Sequence, residues 1–455
     1  MKKNMNRSSA PEPTKKISFD IPQIKVLNLN NGLEVYYVKK EKLPIVQSVI
    51  ISSTGSIGDP DDKKGLAFLT SLLIDEGAGG YDALQLNNEL EKLGTITSIS
   101  ANHDTFSFSI LSLKENFERS FELLSKIILE PRFEEKDFAR EKKKMLDKIL
   151  QLKDEPSFIA SSAFEKRLFK DAPYGSPEIG FEQTASRISN GDVKSFYRKN
   201  FRGSNFKSIV VGNITEEEIV RLFNKYLNTL KSKYGENDPI ILPAQEKTKI
   251  YFVDKKDSAQ SEIRIGHITK KRDAEDFYAA RLMNTILGGQ FSSRINLNLR
   301  EKRGLTYGAG SSINYFKNAG YLEVSTAVNI NNTGEAVSEI VNELNLIREK
   351  IFDEEIEFAK SYLIKQFPSK FETYTQIAKN ISPLIVHNLP IDYYYSYEKS
   401  IELVTTDEIG KAALEYIKPD ETTIVVVGDK TEVIPQLRSL SSSEPIELDI
   451  YGNII

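Results

Sequence analysis

Cysteine and tryptophan are absent from this 455-residue chain. Without cysteine there is no disulfide, no thiolate metal site and no cysteine nucleophile, and the redox compartment stays open. Histidine is scarce. His103, His267 and His387 lie far apart, and none shares a helix with a carboxylate at metal-ligand spacing. No apolar run is long enough to span a bilayer. Met1–Lys16 is mainly Lys, Asn, Ser and Pro and has no apolar h-region, so it does not read as a signal peptide. The chain as given therefore reads as cytoplasmic, or as periplasmic if a signal segment has been removed ahead of this spacer-like tail. An excess of either charge is lacking too. Lys+Arg 61 against Asp+Glu 65 leaves a net charge of -4, interspersed along the chain, which excludes a global basic field for nucleic acid.

What is present is ample apolar material, 40% of residues, in a chain too long for one hydrophobic core. Two halves echo each other. Tyr36-Tyr37-Val38-Lys39-Lys40 has a counterpart in Tyr251-Phe252-Val253-Asp254-Lys255-Lys256, and Val210-Val211-Gly212-Asn213 in Val426-Val427-Gly428-Asp429. Between them, Glu91-Lys92-Leu93-Gly94 matches Glu301-Lys302-Arg303-Gly304. These pairs lie roughly in register, the mark of a duplicated domain and not of a short-period solenoid. In each half, alternating β-rich runs (Leu33–Val38, Val46–Ser52) precede helices with apolar spacing, such as Leu66-Leu69-Leu72-Leu73 and Ala280-Met283-Ile286-Leu287. Phe138–Leu152 reads as a long charged helix, and the apolar strands Ser208–Val211 and Thr423–Val427 close the halves. This order predicts an α+β fold of two homologous domains, each a mostly antiparallel sheet with helices packed on one face. The expected division is a disordered tail over 1–21, a first domain over 22–230, a linker over 231–247, a second domain over 248–437 and a tail over 438–455. Pro239 and Pro243 mark the linker, and Ser441–Pro445 reads as loosely attached.

The most informative stretch runs from Gly288-Gly289-Gln290-Phe291 to Tyr307-Gly308. Leu299–Gly304 reads as the last turn of a helix. Its cations complement the negative end of the dipole, and Gly304 suits the left-handed closing position. Leu305-Thr306-Tyr307 then reads as the start of a strand, so Arg300 and Tyr307 converge across the junction. Taken alone, these are an ordinary helix-end cation and an ordinary strand aromatic. Elsewhere, Gly65-Leu66-Ala67 opens a helix carrying Phe68, Ser71 and Leu72. Asp75 and Glu76 follow at its end and read as solvated, before the glycine-rich Gly77-Ala78-Gly79-Gly80. That loop lacks the Gly-Lys-Ser/Thr ending of a phosphate-binding loop.

Together these segments, with Pro173-Tyr174-Gly175-Ser176-Pro177 and Asp192–Phe201, resemble the insulinase-type peptidases of family M16 over about Pro22–Leu437. The resemblance implies an inverted zinc motif, His-x-x-Glu-His, on the helix after Gly65. Here the matching positions are Phe68, Ser71 and Leu72, none of them a ligand or a base. The third ligand position falls at Asp147 or Lys148, before the turn Asp154-Glu155-Pro156. The family's substrate-handling pair matches Arg300 and Tyr307, which would stabilise the oxygen of the scissile carbonyl as charge develops on it. By the same spacing Arg303 is the structural cation. Gly77, Gly79 and Gly80 resemble the substrate-contacting loop of non-catalytic subunits, or form a plain helix-ending turn. Peptide would add as a strand to an edge, with Ile96–Ser109 and Gly310–Phe316 as candidates. The resemblance thus implies a zinc-free subunit of a two-chain metallopeptidase. It holds no cofactor of its own, and a zinc-bearing M16 paralogue is its partner in a heterodimer that cleaves peptides or unfolded polypeptide. The alternative is a non-proteolytic peptide-binding or assembly protein of the same fold.

Overall fold

The computed structural model of the protein describes residues 19–201, 206–230, 240–440 and 444–455. Among these residues, twelve strands form two six-stranded sheets. The first contains β1 (Lys25–Asn28), β2 (Glu34–Lys39), β3 (Ile45–Ser52), β4 (Ile96–Ala101), β5 (Phe106–Leu113) and β6 (Phe206–Gly212), in the order β1-β2-β6-β3-β5-β4. The second contains β7 (Lys249–Asp254), β8 (Gln260–Thr269), β9 (Ala309–Tyr315), β10 (Gly320–Asn329), β11 (Thr423–Gly428) and β12 (Ile446–Leu448), in the order β12-β7-β11-β8-β10-β9. From the second strand onward the two orders are the same, so the sequence echo is a duplication of topology. Pairing is antiparallel except for β2 with β6, β7 with β11, and β12 with β7.

The helices of the first half are α1 (Leu66–Leu73), α2 (Ala83–Lys92), α3 (Phe117–Leu129), α4 (Glu135–Leu152) and α5 (Pro156–Phe169). Each sheet is covered on one face by helices of its own half, as the alternation of its strands requires. The other face takes a helix from the opposite half. Helix α5 lies on β8 and β11, and the helix Tyr374–Val386 lies on β6 and β3. Ile159, Ala160, Ala163 and Phe164 thereby share a core with Tyr251, Val253, Val425 and Val427. Tyr374, Ile377 and Ile381 share one with Val38, Ile51, Ile209 and Val211. Burial on both faces explains why β6 and β11 are continuous apolar runs. Gly266 on β8 is needed for this exchange, because a Cβ there would meet the Leu322 carbonyl oxygen at 1.8 Å and the Phe164 ring at 3.1 Å.

Helix α1 is held at its N-terminus by a distant carboxylate. Asp59 accepts from the Gly65 and Ala67 amides at 2.9 and 3.0 Å, satisfying donors that lack partners within the helix. Gly65 sits at φ +100 with the Ile179 carbonyl 2.5 Å from where a Cβ would lie, so only glycine fits.

The ends of the chain differ from expectation. The C-terminal stretch is not a loose tail. β12 pairs with β7, the Phe181 and Tyr451 rings meet edge to face, and Gly452 lies against Ala163. The free edge of β7 accepts it because backbone donors and acceptors there have no other strand to pair with. At the N-terminus, Phe19 meets the Phe371 ring and Ile21 packs on the core, so 19–21 are docked as well. Of the expected linker, 240–247 lies against the second half through Ile240 and Leu242. Residues 1–18, 231–239 and 441–443, which include Met1–Lys16, Pro239 and most of the expected C-terminal loose segment, lie outside the described residues.

Candidate functional site

The helix that opens at Gly65 carries no metal-binding face. Phe68 and Leu72 are half-buried and pack on the core of the first half, and the buried Ser71 hydroxyl donates to the Phe68 carbonyl of its own helix at 2.7 Å. Asp147 and Lys148 point outward from α4. Its inward face is Asp137, Phe138, Glu141, Met145 and Ile149. Among the described residues, no three His, Asp or Glu side chains gather to hold a metal ion. Zinc does not fit this donor set, because a phenyl ring and an isobutyl group offer it no lone pair.

Asp75 and Glu76 are not solvated, contrary to expectation. Both are half-buried beside Glu141, which is buried. Arg140 pairs with Glu76, Asp137 and Glu141, and Lys144 with Glu141. Burial pushes the Asp75 carboxyl up to about 6, and the charge on Glu141 adds to the effect. The sequence hid this because Arg140 is brought to Glu76 only by the packing of α4 on α1.

The glycine-rich loop is a fastened turn. Gly77 and Gly79 have φ +106 and +55. The Gly79 amide donates to the Glu130 carbonyl and the Arg132 amide to the Gly77 carbonyl, which binds the loop to the α3–α4 connection. Gly80 is exposed, with open space around its Cα.

Arg300 lies in a π-helical turn, Leu297–Lys302, in which the Arg303 amide reaches back to the Asn298 carbonyl. Such turns recur at functional sites because the extra residue per turn re-aims side chains. Gly304 closes the turn at φ +66, as Gly94 closes α2 at φ +63 in the first half. Arg303 is tied down by Glu335 and Glu339 and by the Asn298 amide oxygen. Arg300 is half-exposed, and its guanidinium lies 4.6 Å from the centre of the Phe291 ring. Tyr307 is not on a strand. Strand β9 begins at Ala309, and Tyr307 projects from the loop before it, 93% exposed. The Thr306 hydroxyl, bonded to the Gly308 and Ala327 carbonyls, pulls this loop onto β10 and leaves the next side chain facing outward. Among the described residues, no hydrogen bond joins Arg300 to Tyr307. Phe291, 61% exposed, shares a surface of the second half with Arg300, and Tyr307 is exposed seven residues further along the chain.

Both candidate peptide edges contain a true edge strand. β4 ends the first sheet and β9 the second, while the β5 part of Ile96–Ser109 is interior. The first sheet and the helix Tyr374–Val386 border an open cavity of about 730 Å³. Ser98, Ser100, Ser107 and Ser109 line one wall, Thr375, Lys379, Ser382 and His387 another, and Phe316 and His103 its end.

A cluster at that end was missed by the reading of the sequence. The His103 ring pairs with Glu178 at 3.1 Å and bonds the Ser176 carbonyl. Asp104 accepts from the Tyr174 hydroxyl at 2.7 Å and, from the second half, from the Lys317 amide at 2.7 Å. Phe316 stacks on Tyr174 at 4.2 Å, with the ring planes within 5°. Burial pulls His103 toward the neutral form, but the Glu178 carboxylate outweighs it and raises the imidazole above its ordinary value. Glu165 on α5 is half-buried between the halves, near the Tyr321 hydroxyl. Burial pushes it up to about 7, opposed by His103 and aided by Glu323 and Glu178.

Glu165 therefore predicts a pH dependence of stability. Below its unfolded value near 4.5 the group is protonated in both states. Between there and about 7 the unfolded chain releases the proton and the folded chain keeps it, so stability falls as pH rises. Glu165→Gln is expected to match wild type at pH 4 and to exceed it at pH 8 by on the order of 2 kcal/mol, read by denaturant unfolding. An unchanged difference between the two pH values would contradict this.

Comparison with known proteins places these features. Residues 34–180 match the family described as Insulinase (Peptidase family M16), and 187–363 match the Peptidase M16 inactive domain. An uncharacterized zinc protease of Rickettsia felis is 26% identical over 342 residues, 74% of this chain and 81% of the relative. A protein of Helicobacter pylori named non-peptidase homolog YmxG is 22% identical over 382 residues, 83% and 87% of the two chains. Among solved structures, a peptidase M16 inactive domain from Pseudomonas fluorescens superposes with a TM-score of 0.82 at 23% identity, over 90% of this chain and 98% of that one. The periplasmic protease PqqL from Escherichia coli superposes at 0.76 with 16% identity, over 94% of this chain and 48% of that one. Among the described residues, no helix is long and apolar enough to cross a membrane.

Proposed function

Because the chain belongs to the M16 peptidase family, we propose that it serves as the zinc-free subunit of a two-chain metallopeptidase. A paralogue bearing His-x-x-Glu-His would face its second half, and Arg300 and Tyr307 would complete the partner's site. The carrying observation is the placement of that pair. A tyrosine 93% exposed, seven residues beyond a half-exposed arginine that meets an exposed phenylalanine, is surface that folding of this chain alone leaves unused. In this arrangement the Tyr307 hydroxyl donates to the oxygen of the scissile carbonyl as it gains charge. The forked guanidinium of Arg300 holds the adjoining peptide carbonyl. The partner's zinc supplies the activated water. The edges β4 and β9 take extended polypeptide by backbone pairing, with Gly80 the member of the glycine loop left free to touch it.

The isolated chain is expected to bind no stoichiometric zinc and to cleave no peptide, because Phe68 and Leu72 replace the ligands. Metal analysis together with a chelator-sensitive cleavage assay reads this, and one zinc per chain with cleavage would refute it. Co-purification from the native cell separates the two readings. A zinc-motif M16 chain in the complex supports the peptidase. Its absence supports the non-proteolytic peptide-binding or assembly reading, toward which the name of the Helicobacter pylori relative points.

A further inference from the structure

We propose that Lys370, Arg281 and Arg272 form a binding site for a small oxyanion, a carboxylate or a phosphate, in the second half. The three come from different segments. Arg272 precedes the helix Phe277–Leu287, Arg281 lies within it, and Lys370 lies in the turn Phe367–Phe371. Aromatic contacts join the segments that carry them. Phe367 stacks on Tyr397 at 4.3 Å, Phe371 meets Tyr394 at 5.4 Å, and Tyr278 stacks on Tyr393 at 5.9 Å. Arg272 lies 3.3 Å from the centre of the Phe277 ring and donates to the Tyr393 hydroxyl at 2.7 Å, while Arg281 donates to the Tyr397 hydroxyl at 3.3 Å.

Among the described residues, none of the three cations has a carboxylate partner. Of the acids nearby, Asp276 is committed and Asp273 is solvent-exposed. Asp276 takes Lys270 at 2.6 Å and the Tyr416 hydroxyl at 2.7 Å, and the exposed Asp273 lies 4.0 Å from Lys271. Burial, then the charges of Arg281 and Arg272, lower the Lys370 ammonium to about 8. Stacking on aromatic faces offsets part of the cost for Arg272 and does nothing for Lys370. Positive charge withdrawn from water without a counter-ion is unfavourable, and a bound anion removes that cost. Each tyrosine hydroxyl occupies one donor of its guanidinium and fixes the plane, leaving the other N–H groups for an oxyanion. The cluster adjoins the cavity between the halves, since Tyr315, 5.8 Å from Arg272, and His387 both line it. This inference stands apart from the peptidase proposal.

Thermal unfolding of the full chain tests it, with inorganic phosphate, pyrophosphate or N-acetyl-triglutamate added at constant ionic strength balanced by NaCl. A saturable rise in Tm of a few degrees at about 100-fold excess over Kd is expected from at least one probe. Lys370→Met is expected to raise Tm without anion, by relieving repulsion, and to weaken anion binding about 10-fold or more. Arg281→Gln and Arg272→Gln should weaken it likewise. Saturation by phosphate or pyrophosphate identifies a free oxyanion, and saturation by the peptide alone identifies peptide carboxylates. No saturable rise with any probe, or a rise kept in full by Lys370→Met and Arg281→Gln, overturns the proposal.

Discussion

Tyr307→Phe is expected to lower kcat of the two-chain enzyme about 100-fold or more while leaving assembly intact. The change removes one hydroxyl from a side chain that is 93% exposed and shows no hydrogen bond among the described residues. Its cost to folding should fall within the usual range of a surface substitution, about 0.5 kcal/mol. An oxyanion donor, in contrast, acts only when charge develops in the transition state, and losing one costs about 100- to 1,000-fold in turnover. A transition-state contact lowers kcat and kcat/KM together, whereas a ground-state contact raises KM alone. Steady-state kinetics of the reconstituted complex, with affinity of the two chains measured in parallel, separates these cases. An unchanged kcat with normal assembly would remove Tyr307 from the chemistry. A complex that fails to form would recast the Phe291, Arg300 and Tyr307 surface as a docking face only.

Tyr174→Ala is expected to cost about 3–5 kcal/mol, the largest stability effect argued for this chain. Tyr174 is fully buried where the halves meet. Its ring stacks on Phe316 of the second half and its hydroxyl donates to Asp104, which also holds the Lys317 amide. Truncation removes the stacked pair, leaves a cavity and frees a buried carboxylate oxygen at one stroke. Tyr174→Phe keeps the ring and loses the hydroxyl, which donates to Asp104 and accepts from Asn318, so about 1–3 kcal/mol is expected. Denaturant unfolding followed by two probes, one in each half, reads both variants. A cost below about 1 kcal/mol for the alanine variant would show that the junction is held elsewhere, by the exchanged helices.

Those helices show how far sequence patterns reach. Ser208–Val211 and Thr423–Val427 read as apolar closing strands of sheets with helices on one face, and nothing local said that a helix would cover the second face too. The covering helix comes from the other half in both cases, more than 100 residues away for the helix Tyr374–Val386. Gly304 could be assigned in advance because a helix end has local rules of dihedral angle, whereas the choice of Arg303 as the structural cation came from the family spacing alone. Tyr307 was expected on a strand, since a β-former after a glycine break looks the same whether or not the ladder has begun. Only the hydrogen bonds of Thr306 put it in a loop. Asp75 and Glu76 looked solvated at a polar helix end, and the arginine that answers Glu76 lies on α4.

Periodicity, breakers and missing ligand types belong to short stretches of chain, where each residue's own chemistry decides. The sequence by itself therefore determined the duplicated α+β halves and a helix with no imidazole at its zinc positions. Tertiary structure alone decided which helix crosses to which sheet, that His103, Asp104, Tyr174 and Phe316 meet at the junction, and that Lys370 shares its surroundings with two arginines. Contacts between distant segments depend on the burial and shape of the whole, and those quantities exist only after the chain has closed on itself.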